Sequence, residues 1–269
     1  MNRLRDLCSI VNTHSTYADV FHIFLKSYFH KTSNIPLYSF SDKFFDFEAD
    51  FPHESLIYKT NNFRDQYLEC LQDIPFDYIL TFNDDYFLNG APNFKALEDS
   101  LEILQRNSFG YIRYVRGPNF TNDEVFDCFY RVDATQPYAF SQTLTMWRKS
   151  DLTRIFEKVG PSGIARKSKE PQFEVLANQV LCNLGINGLV YYSGEKKVGK
   201  SHFECSVIPH IVSAVVDGYW NTSEYRDELK SLELKIGHEL SKNRFKNNWL
   251  MVIKQHLYEC IKRPKHRNS

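Results

Sequence analysis

The sequence predicts an α/β protein whose mostly parallel sheet is flanked by helices. Three observations carry that expectation. The first forty residues read strand, helix, strand, the order of a βαβ unit. The apolar run Tyr78 to Phe82 then delivers Asn83-Asp84-Asp85, and a second apolar run, Tyr86 to Leu88, follows at once. Buried strands end this way when their tips carry chemistry. Helical and strand-like segments go on alternating to about residue 192.

Leu7 to Val11 reads as the first strand, ending in the polar cluster Asn12-Thr-His-Ser-Thr16, which suits a loop and helix cap. Tyr17 to Phe29 is spaced as a helix with Val20, Phe21, Phe24, Leu25 and Tyr28 on one face. Ile35 to Phe40 is the second strand, closed by Ser41-Asp42. Asn61 to Leu71 is a helix with Asn62 as a cap, and the acid-tipped strand comes next. Phe94 to Gln105 is helical and Gly110 to Val115 extended. Tyr138 to Trp147 reads as a strand or pair of strands, then Asp151 to Val159 as a capped helix. Gly160 to Lys169 is rich in Gly, Ser and Lys, the composition of a mobile loop. Glu174 to Leu184 is a helix, Gly188 to Tyr192 a late strand, and Tyr225 to Leu240 an amphipathic helix of mixed charge. No internal repeat or low-complexity tract occurs, and no composition shift marks a boundary before about residue 220.

The chain has 269 residues, enough for one large domain or two small ones around a sizeable core. Lys+Arg and Asp+Glu are both 33, so overall charge gives no sign of a nucleic-acid partner, and none is expected. Aromatics reach 15%, which suits either an aromatic core or a cleft for sugars and bases. The six cysteines are scattered without a C-x-x-C, excluding a zinc ribbon or thioredoxin motif and suggesting reduced core thiols in a cytoplasmic protein. The N-terminus lacks a signal-peptide apolar region, and no stretch of about 18 apolar residues is present to span a membrane. In that compartment the sequons at Asn119 and Asn221 are chance matches.

Asp84 and Asp85 are adjacent carboxylates that repel each other, and a hard divalent cation such as Mn²⁺ or Mg²⁺ would relieve the repulsion. Asp85 is the candidate for direct coordination and Asp84 for help through water or a ribose; the alternative is a strand-end turn with Asp84 as a cap. A metal held there could bind a diphosphate. Gly194 to Ser201 matches G-x-x-x-x-G-K-[ST], the P-loop pattern, after strand-like Leu189 to Ser193. Against a P-loop enzyme stand its late position, Pro209 within about two turns of it, and an acidic pair that lies upstream. Lys196, Lys197 and Lys200 on that loop would neutralise a leaving diphosphate, or form a solvated basic hairpin.

The segments Asn61 to Leu71 and Asp77 to Leu88 resemble bacterial GT-A glycosyltransferases of surface-polysaccharide assembly, the makers of lipopolysaccharide, O-antigen and capsule. Those chains place an Arg-bearing helix before an apolar strand ending in an acidic DxD-type motif. Tyr138 to Leu152 is similar to the family's acceptor-side strand and following helix, and Pro171-Gln-Phe-Glu174 to its short Pro-aromatic-Glu segment. The likeness spans about residues 7 to 220, and Asn83-Asp84-Asp85 departs from a strict D-x-D.

The resemblance implies a GT-A-like, Rossmann-type domain over 1–220, with a nucleotide half to about 90, an acceptor half from 91, and C-terminal helices with a basic tail over 221–269. It implies a nucleoside-diphosphate sugar as donor and a growing or lipid-linked glycan as acceptor. Asn12, Thr13 and His14 would lie near the nucleotide, Asp42 near base or ribose, and Arg64 near the diphosphate. Each has a structural alternative: Thr13 as a helix cap, Asp42 as a turn residue, Arg64 as a surface ion pair.

An inverting transferase needs a carboxylate to take the acceptor proton; Glu174 is the candidate, Asp133 a weaker one. The alternative for Glu174 is charge complementing a helix N-terminus. His202 or His210 would supply a later metal ligand or touch the phosphates, and Trp147 or Trp220 would stack on a sugar, core packing being the competing role. From Phe245 to Ile261 an apolar stripe surrounded by Lys and Arg reads as a basic amphipathic helix for an anionic membrane surface at the inner face, or as one packed on the domain. Two other classes stay open: a phosphotransferase or NTPase using 194–201, and a non-catalytic membrane-associated interaction protein.

Overall fold

A computed structural model of the protein describes residues 4–32, 34–117, 120–142, 144–160, 173–198 and 202–245. Strand β1 (Leu7–Asn12) lies at the centre of a parallel group, between β2 (Leu37–Ser41) and β4 (Tyr78–Asn83), with β3 (Glu54–Ile57) outside β2. Of β1's six residues all but the last are buried, as a strand covered on both faces requires. Alternation sorts its side chains: Leu7 and Val11 join one core, Cys8 and Ile10 the other.

Helices cover both faces. α1 (Ala18–Lys31), α3 (Phe94–Arg106) and α6 (Thr222–Ile236) contribute to the first core. α2 (Phe63–Leu71), α4 (Lys149–Lys158) and α5 (Phe173–Asn183) build the second, which is dense in rings such as Tyr67 stacked on Phe156 at 4.6 Å. The caps follow the sequence signals: the Asn62 side chain accepts from Arg64 N, and Asn93 from Ala96 N. α6 stops at Gly237, whose φ of 60° is the left-handed conformation that glycine adopts without penalty.

The second half of the sheet is mixed. Beyond β4 come β9 (Thr145–Arg148), β6 (Tyr111–Arg113), β10 (Gly188–Tyr191), β8 (Phe129–Val132) and β7 (Phe120–Phe126). β9 runs antiparallel to both neighbours, β6 and β10 are parallel, and β7 and β8 form an antiparallel hairpin. One continuous nine-stranded sheet therefore runs through both proposed halves of the domain. Gly188 is required where β10 passes Tyr111: a Cβ there would lie 2.1 Å from the ring.

Three two-stranded ribbons complete the strands among the described residues: β5 (Phe87–Leu88) with β13 (His210–Ile211), β11 (Lys197–Val198) with β12 (His202–Phe203), and β14 (Val215–Val216) with β15 (Tyr219–Trp220). The first matters for the site, because it fastens the chain just after the acidic pair to a segment more than a hundred residues later.

Several expectations are corrected. Within Tyr138 to Trp147 only the last residues are a strand. Upstream, Tyr138 has φ 63°, its carbonyl accepts from Arg113, and Phe140 N donates to the Asn178 side chain, so side chains replace a ladder. The β7–β8 hairpin was not expected, since its Asn122, Asp123 and Glu124 are solvated and blur any alternation. The helix expected over 225–240 spans Thr222–Ile236. Of five described cysteines, none is in a disulfide; Cys8, Cys70 and Cys205 are buried and burial pushes each thiol up to about 12, whereas Cys182 is exposed. Most of the 160–169 loop and the 246–269 segment lie outside the described residues. Among those described, no helix is long and apolar enough to cross a membrane.

Candidate active site

Parallel strands leave their carboxyl ends on one edge, and the β1, β2 and β4 ends coincide there: Asn12 is in register with both Phe40 and Asn83. Open α/β sheets bind ligands outside such an edge. A cleft of about 1010 Å³ opens at this edge. Asp84 and Asp85 lie in its floor, with Asn12, Thr13, His14 and Asp42 around them. Six positions singled out in the sequence are thus gathered from three strand ends.

The acidic pair is held from two directions. Thr13 Oγ1 donates to Asp84 Oδ2 at 2.8 Å, while Tyr58 donates its hydroxyl to the Thr13 carbonyl at 3.1 Å. Asp85 accepts at its carbonyl from Ala214 N at 3.2 Å and at Oδ2 from Val215 N at 3.4 Å. Both aspartates are half-buried and line the cleft. Burial, then the neighbouring Asp85 charge, lifts Asp84 to about 7 despite the Thr13 bond. Burial lifts Asp85 to about 6 against the Val215 N–H. Two carboxylates this short of compensating charge favour a proton or a cation. That donor set fits Mn²⁺ or Mg²⁺, which binds one or two carboxylates and completes its shell with water and ligand phosphates.

Asp42 behaves oppositely. Its partial burial works upward, but hydrogen bonds from Ser15 outweigh it, with His14 3.7 Å away, and hold the carboxyl below the usual range. It is an ionised acceptor on the cleft wall.

Other predicted residues fall elsewhere. Glu174, half-buried at the start of α5, accepts from Gln142 N at 2.9 Å; Gln142 lines the cleft, so Glu174 stands directly behind its wall. Arg64 does not line the cleft: its guanidinium binds the Val159 carbonyl and Asp65. Lys196 is exposed one residue before β11, and Lys200 lies outside the described residues. His210 is buried against Tyr86, ring centroids 4.8 Å apart, and directs Nδ1 at the Ile208 carbonyl. It lines a second cavity rather than the cleft, and among the described residues no three His, Cys, Asp or Glu side chains gather around a common point. The metal set of Asp84, Asp85 and His210 is therefore not assembled as expected. Of the other weighed residues, Asp133 caps Thr135 at the surface, Trp147 is core, and Trp220 donates to the Ser241 carbonyl. The side chain of His202 lies outside the description.

The P-loop pattern takes a different shape. β12 begins at His202, one residue past the motif, and pairs back on β11. A phosphate-cradling loop needs a helix to start there; the described residues on either side of 199–201 are instead paired antiparallel strands.

Cleft residues missed in the sequence cluster after β3, where Tyr58 and Lys59 line the wall. Lys59 is the one Lys or Arg among its described lining residues, and its backbone N–H donates to Glu69 of α2. The polar run Thr60-Asn61-Asn62 was the available signal, but β3 was not recognised, so no strand end pointed there. Arg244 was missed as well. It forms a two-pronged pair with Asp19 at 2.7 Å on each prong, donates to the Thr16 carbonyl and lies over the Tyr17 ring, both cleft residues.

No protein-family model and no curated protein matches the sequence. Solved structures resemble it at low identity. Staphylococcus aureus TarS 1–349 is 13% identical with a TM-score of 0.44, over 74% of this chain and 60% of that one. The mannosyltransferase PcManGT of Pyrobaculum calidifontis, in complex with GDP-Man and Mn²⁺, is 10% identical at 0.45, over 72% and 58%. A CMP:2-keto-3-deoxy-manno-octonic acid synthetase complexed with CTP is 12% identical at 0.43, over 69% and 88%. The chain thus spans about three-fifths of the first two.

Proposed function

We infer that this protein is a transferase that moves a sugar from a nucleoside-diphosphate sugar to a hydroxyl of a growing or lipid-linked glycan, using a divalent metal. The observation that carries it is the Asp84–Asp85 pair, short of positive charge, at the carboxyl edge of parallel strands in a cleft of nucleotide-sugar size. The donor's base and ribose would meet Asn12, His14 and the ionised Asp42, and Lys59 would face its phosphates. Tyr58, pushed up to about 12 by burial, stays a neutral donor that holds the Thr13 loop.

In the reaction the acceptor oxygen bonds to the anomeric carbon as the bond from that carbon to the diphosphate oxygen breaks. The hydroxyl proton passes to a carboxylate; Glu174 is the candidate base and, standing behind Gln142 rather than in the cleft lining, would take it through one bridging water. Asp85, helped by Asp84, would hold Mn²⁺ or Mg²⁺, which when bound supplies Lewis-acid stabilisation of the leaving diphosphate. The basic segment after residue 245 would bring the enzyme to an anionic membrane surface carrying a lipid-linked acceptor.

The test is a thermal-shift screen against UDP, GDP, CDP, dTDP and ATP, with and without Mn²⁺. Stabilisation by one nucleoside diphosphate, only with metal and lost in Asp85→Ala, is the expected result. No shift with any nucleotide would remove the basis for a transferase and favour a non-catalytic role.

A further inference from the structure

The carboxyl edge of the sheet continues past the acidic pair into the proposed acceptor half. β9 is antiparallel to both β4 and β6, so β4 and β6 run the same way, and β10 is parallel to β6. Thr81, Thr145, Arg113 and Val190 form one row across these strands. Asp84 and Arg116 each stand three residues beyond that row, toward the same edge. β6 is two strands from β4, about 10 Å at the usual strand spacing.

Arg116 is held there by rings and not by acids. Its guanidinium lies 4.2 Å from the centre of the Phe120 ring, 4.7 Å from Tyr192 and 5.0 Å from Phe203. Tyr130 backs the corner, its ring 5.0 Å from Phe120. These residues are half-buried, so each keeps part of its surface in solvent. A cation–ring contact contributes about 0.5–1 kcal/mol at an exposed site, and several together fix the side chain in place.

The rings leave the N–H edge of the guanidinium unused. Among the described residues Arg116 makes no hydrogen bond and no ion pair. The carboxylates of adjoining strands are committed elsewhere: Asp123 to Arg131 at 2.9 Å, Glu124 to Cys128 N at 3.0 Å and Glu195 to Ser193 N at 2.8 Å. A pre-positioned planar fork of donors without an acid of its own matches a carboxylate or phosphate brought from outside. Lys197 is exposed and is the cross-strand partner of Phe203, so it adds positive charge on that ring's face of the ribbon. The rings supply apolar surface on which the C–H face of a sugar stacks.

The geometry points to this corner as a binding site for a sugar residue that carries a carboxylate or a phosphate, with Arg116 gripping the anion and Tyr192 and Phe203 against the sugar. That this residue belongs to the acceptor glycan rests on the transferase reading; the binding site does not.

Saturation-transfer NMR on the full chain tests it without metal, with glucuronate and glucose 6-phosphate as probes and glucose as the neutral control. At least one acidic probe is expected to bind, about fivefold or more tighter than glucose. Arg116→Gln should weaken that binding about tenfold, while Asp85→Ala, in the floor of the cleft, should leave it unchanged. Tyr192→Leu keeps the charge and should weaken binding about fivefold, which provides the test if Arg116→Gln does not fold. Silence from both acidic probes, glucose binding as tightly as either, or a signal indifferent to Arg116→Gln or lost in Asp85→Ala would each overturn the proposal. Inorganic phosphate or acetate competing as strongly as the sugars would mark a bare anion site and overturn it as well. Nucleotide binding in the cleft is scored separately by thermal shift. Acidic-sugar binding without it would sink the transferase and keep this site; nucleotide binding without acidic-sugar binding would do the reverse.

Discussion

Thr13 donates its hydroxyl to Asp84 across 71 positions of sequence, tying the end of β1 to the acidic tip of β4. The bond aims one carboxylate of the pair and partly offsets its lack of charge. Thr13→Val should cost about 1 kcal/mol at neutral pH, because a half-buried carboxyl loses a donor. Thr13→Ser should retain most of the stability. Urea denaturation of both variants measures this, and equal losses would mean that packing of the methyl group matters rather than the hydrogen bond.

The acidic pair should make stability fall with pH. Folding raises Asp84 from 3.8 to about 7 and Asp85 from 3.8 to about 6. Their contribution is complete below the unfolded value and lost as pH climbs through the folded values. Asp84→Asn, which can still accept from Thr13, should match the parent near pH 4. Near pH 7.5 it should exceed the parent by at least about 1 kcal/mol, since one pKa unit corresponds to about 1.4 kcal/mol. Denaturation midpoints across that range give the answer; parallel curves would show that the pair is not charge-starved. The same variant should lose metal-dependent nucleotide binding, a direct trade of stability for function.

Lys59 is the cleft's own cation among the described lining residues. Lys59→Met should weaken binding of a nucleoside diphosphate by about tenfold, worth about 1.4 kcal/mol, and flatten its salt dependence. Isothermal titration at two ionic strengths reads both effects. Unchanged affinity would place the phosphates elsewhere.

Glu174 should act on turnover and not on donor binding. Once an acceptor is found, Glu174→Gln is expected to lower kcat by about a hundredfold or more, the range of a lost general base. The amide can still accept from Gln142 N, so donor affinity should hold. A variant that turns over normally would hand the proton to another group.

Arg244 fastens the segment after α6 to Asp19 of α1, next to the cleft residues Thr16 and Tyr17. A double-mutant cycle of Arg244→Met and Asp19→Asn should give a coupling of about 1 kcal/mol, modest because Asp19 is partly exposed. Burial lifts Asp19, but the Arg244 hydrogen bond and charge prevail and hold it below 3.8. This coupling is therefore present above the unfolded value and fades as pH falls through the lower folded one. A coupling that persists near pH 2 would refute the ion pair.

Much of the first half was legible. The strands β1, β2 and β4 announced themselves by unbroken apolar runs, and each ended in the polar residues that now face the cleft, because parallel strands buried on both faces leave polar chemistry only at their tips. Asn12, Thr13, His14, Asp42, Asp84 and Asp85 were found that way. β3 was not, since its residues are half exposed and lack a pattern, and Tyr58 and Lys59 were missed with it. Arg64 was misplaced because a helix face is set by packing: the guanidinium turns toward α4's end and Val159.

The sequence by itself determined which strands are central, where the acidic pair sits and which polar residues accompany it, because these depend on local patterns of burial. Only the tertiary structure decided that the β5–β13 pairing brings the segment 210–215 against Asp85, that Arg244 reaches Asp19, and that His210 faces a second cavity. Those depend on contacts between residues more than a hundred positions apart, a backbone ladder in one case and a side-chain ion pair in another, and no local pattern of residues announces either partner. The proton affinity of the pair belongs to the same class, for it arises from enclosure by the folded chain and not from the two aspartates alone.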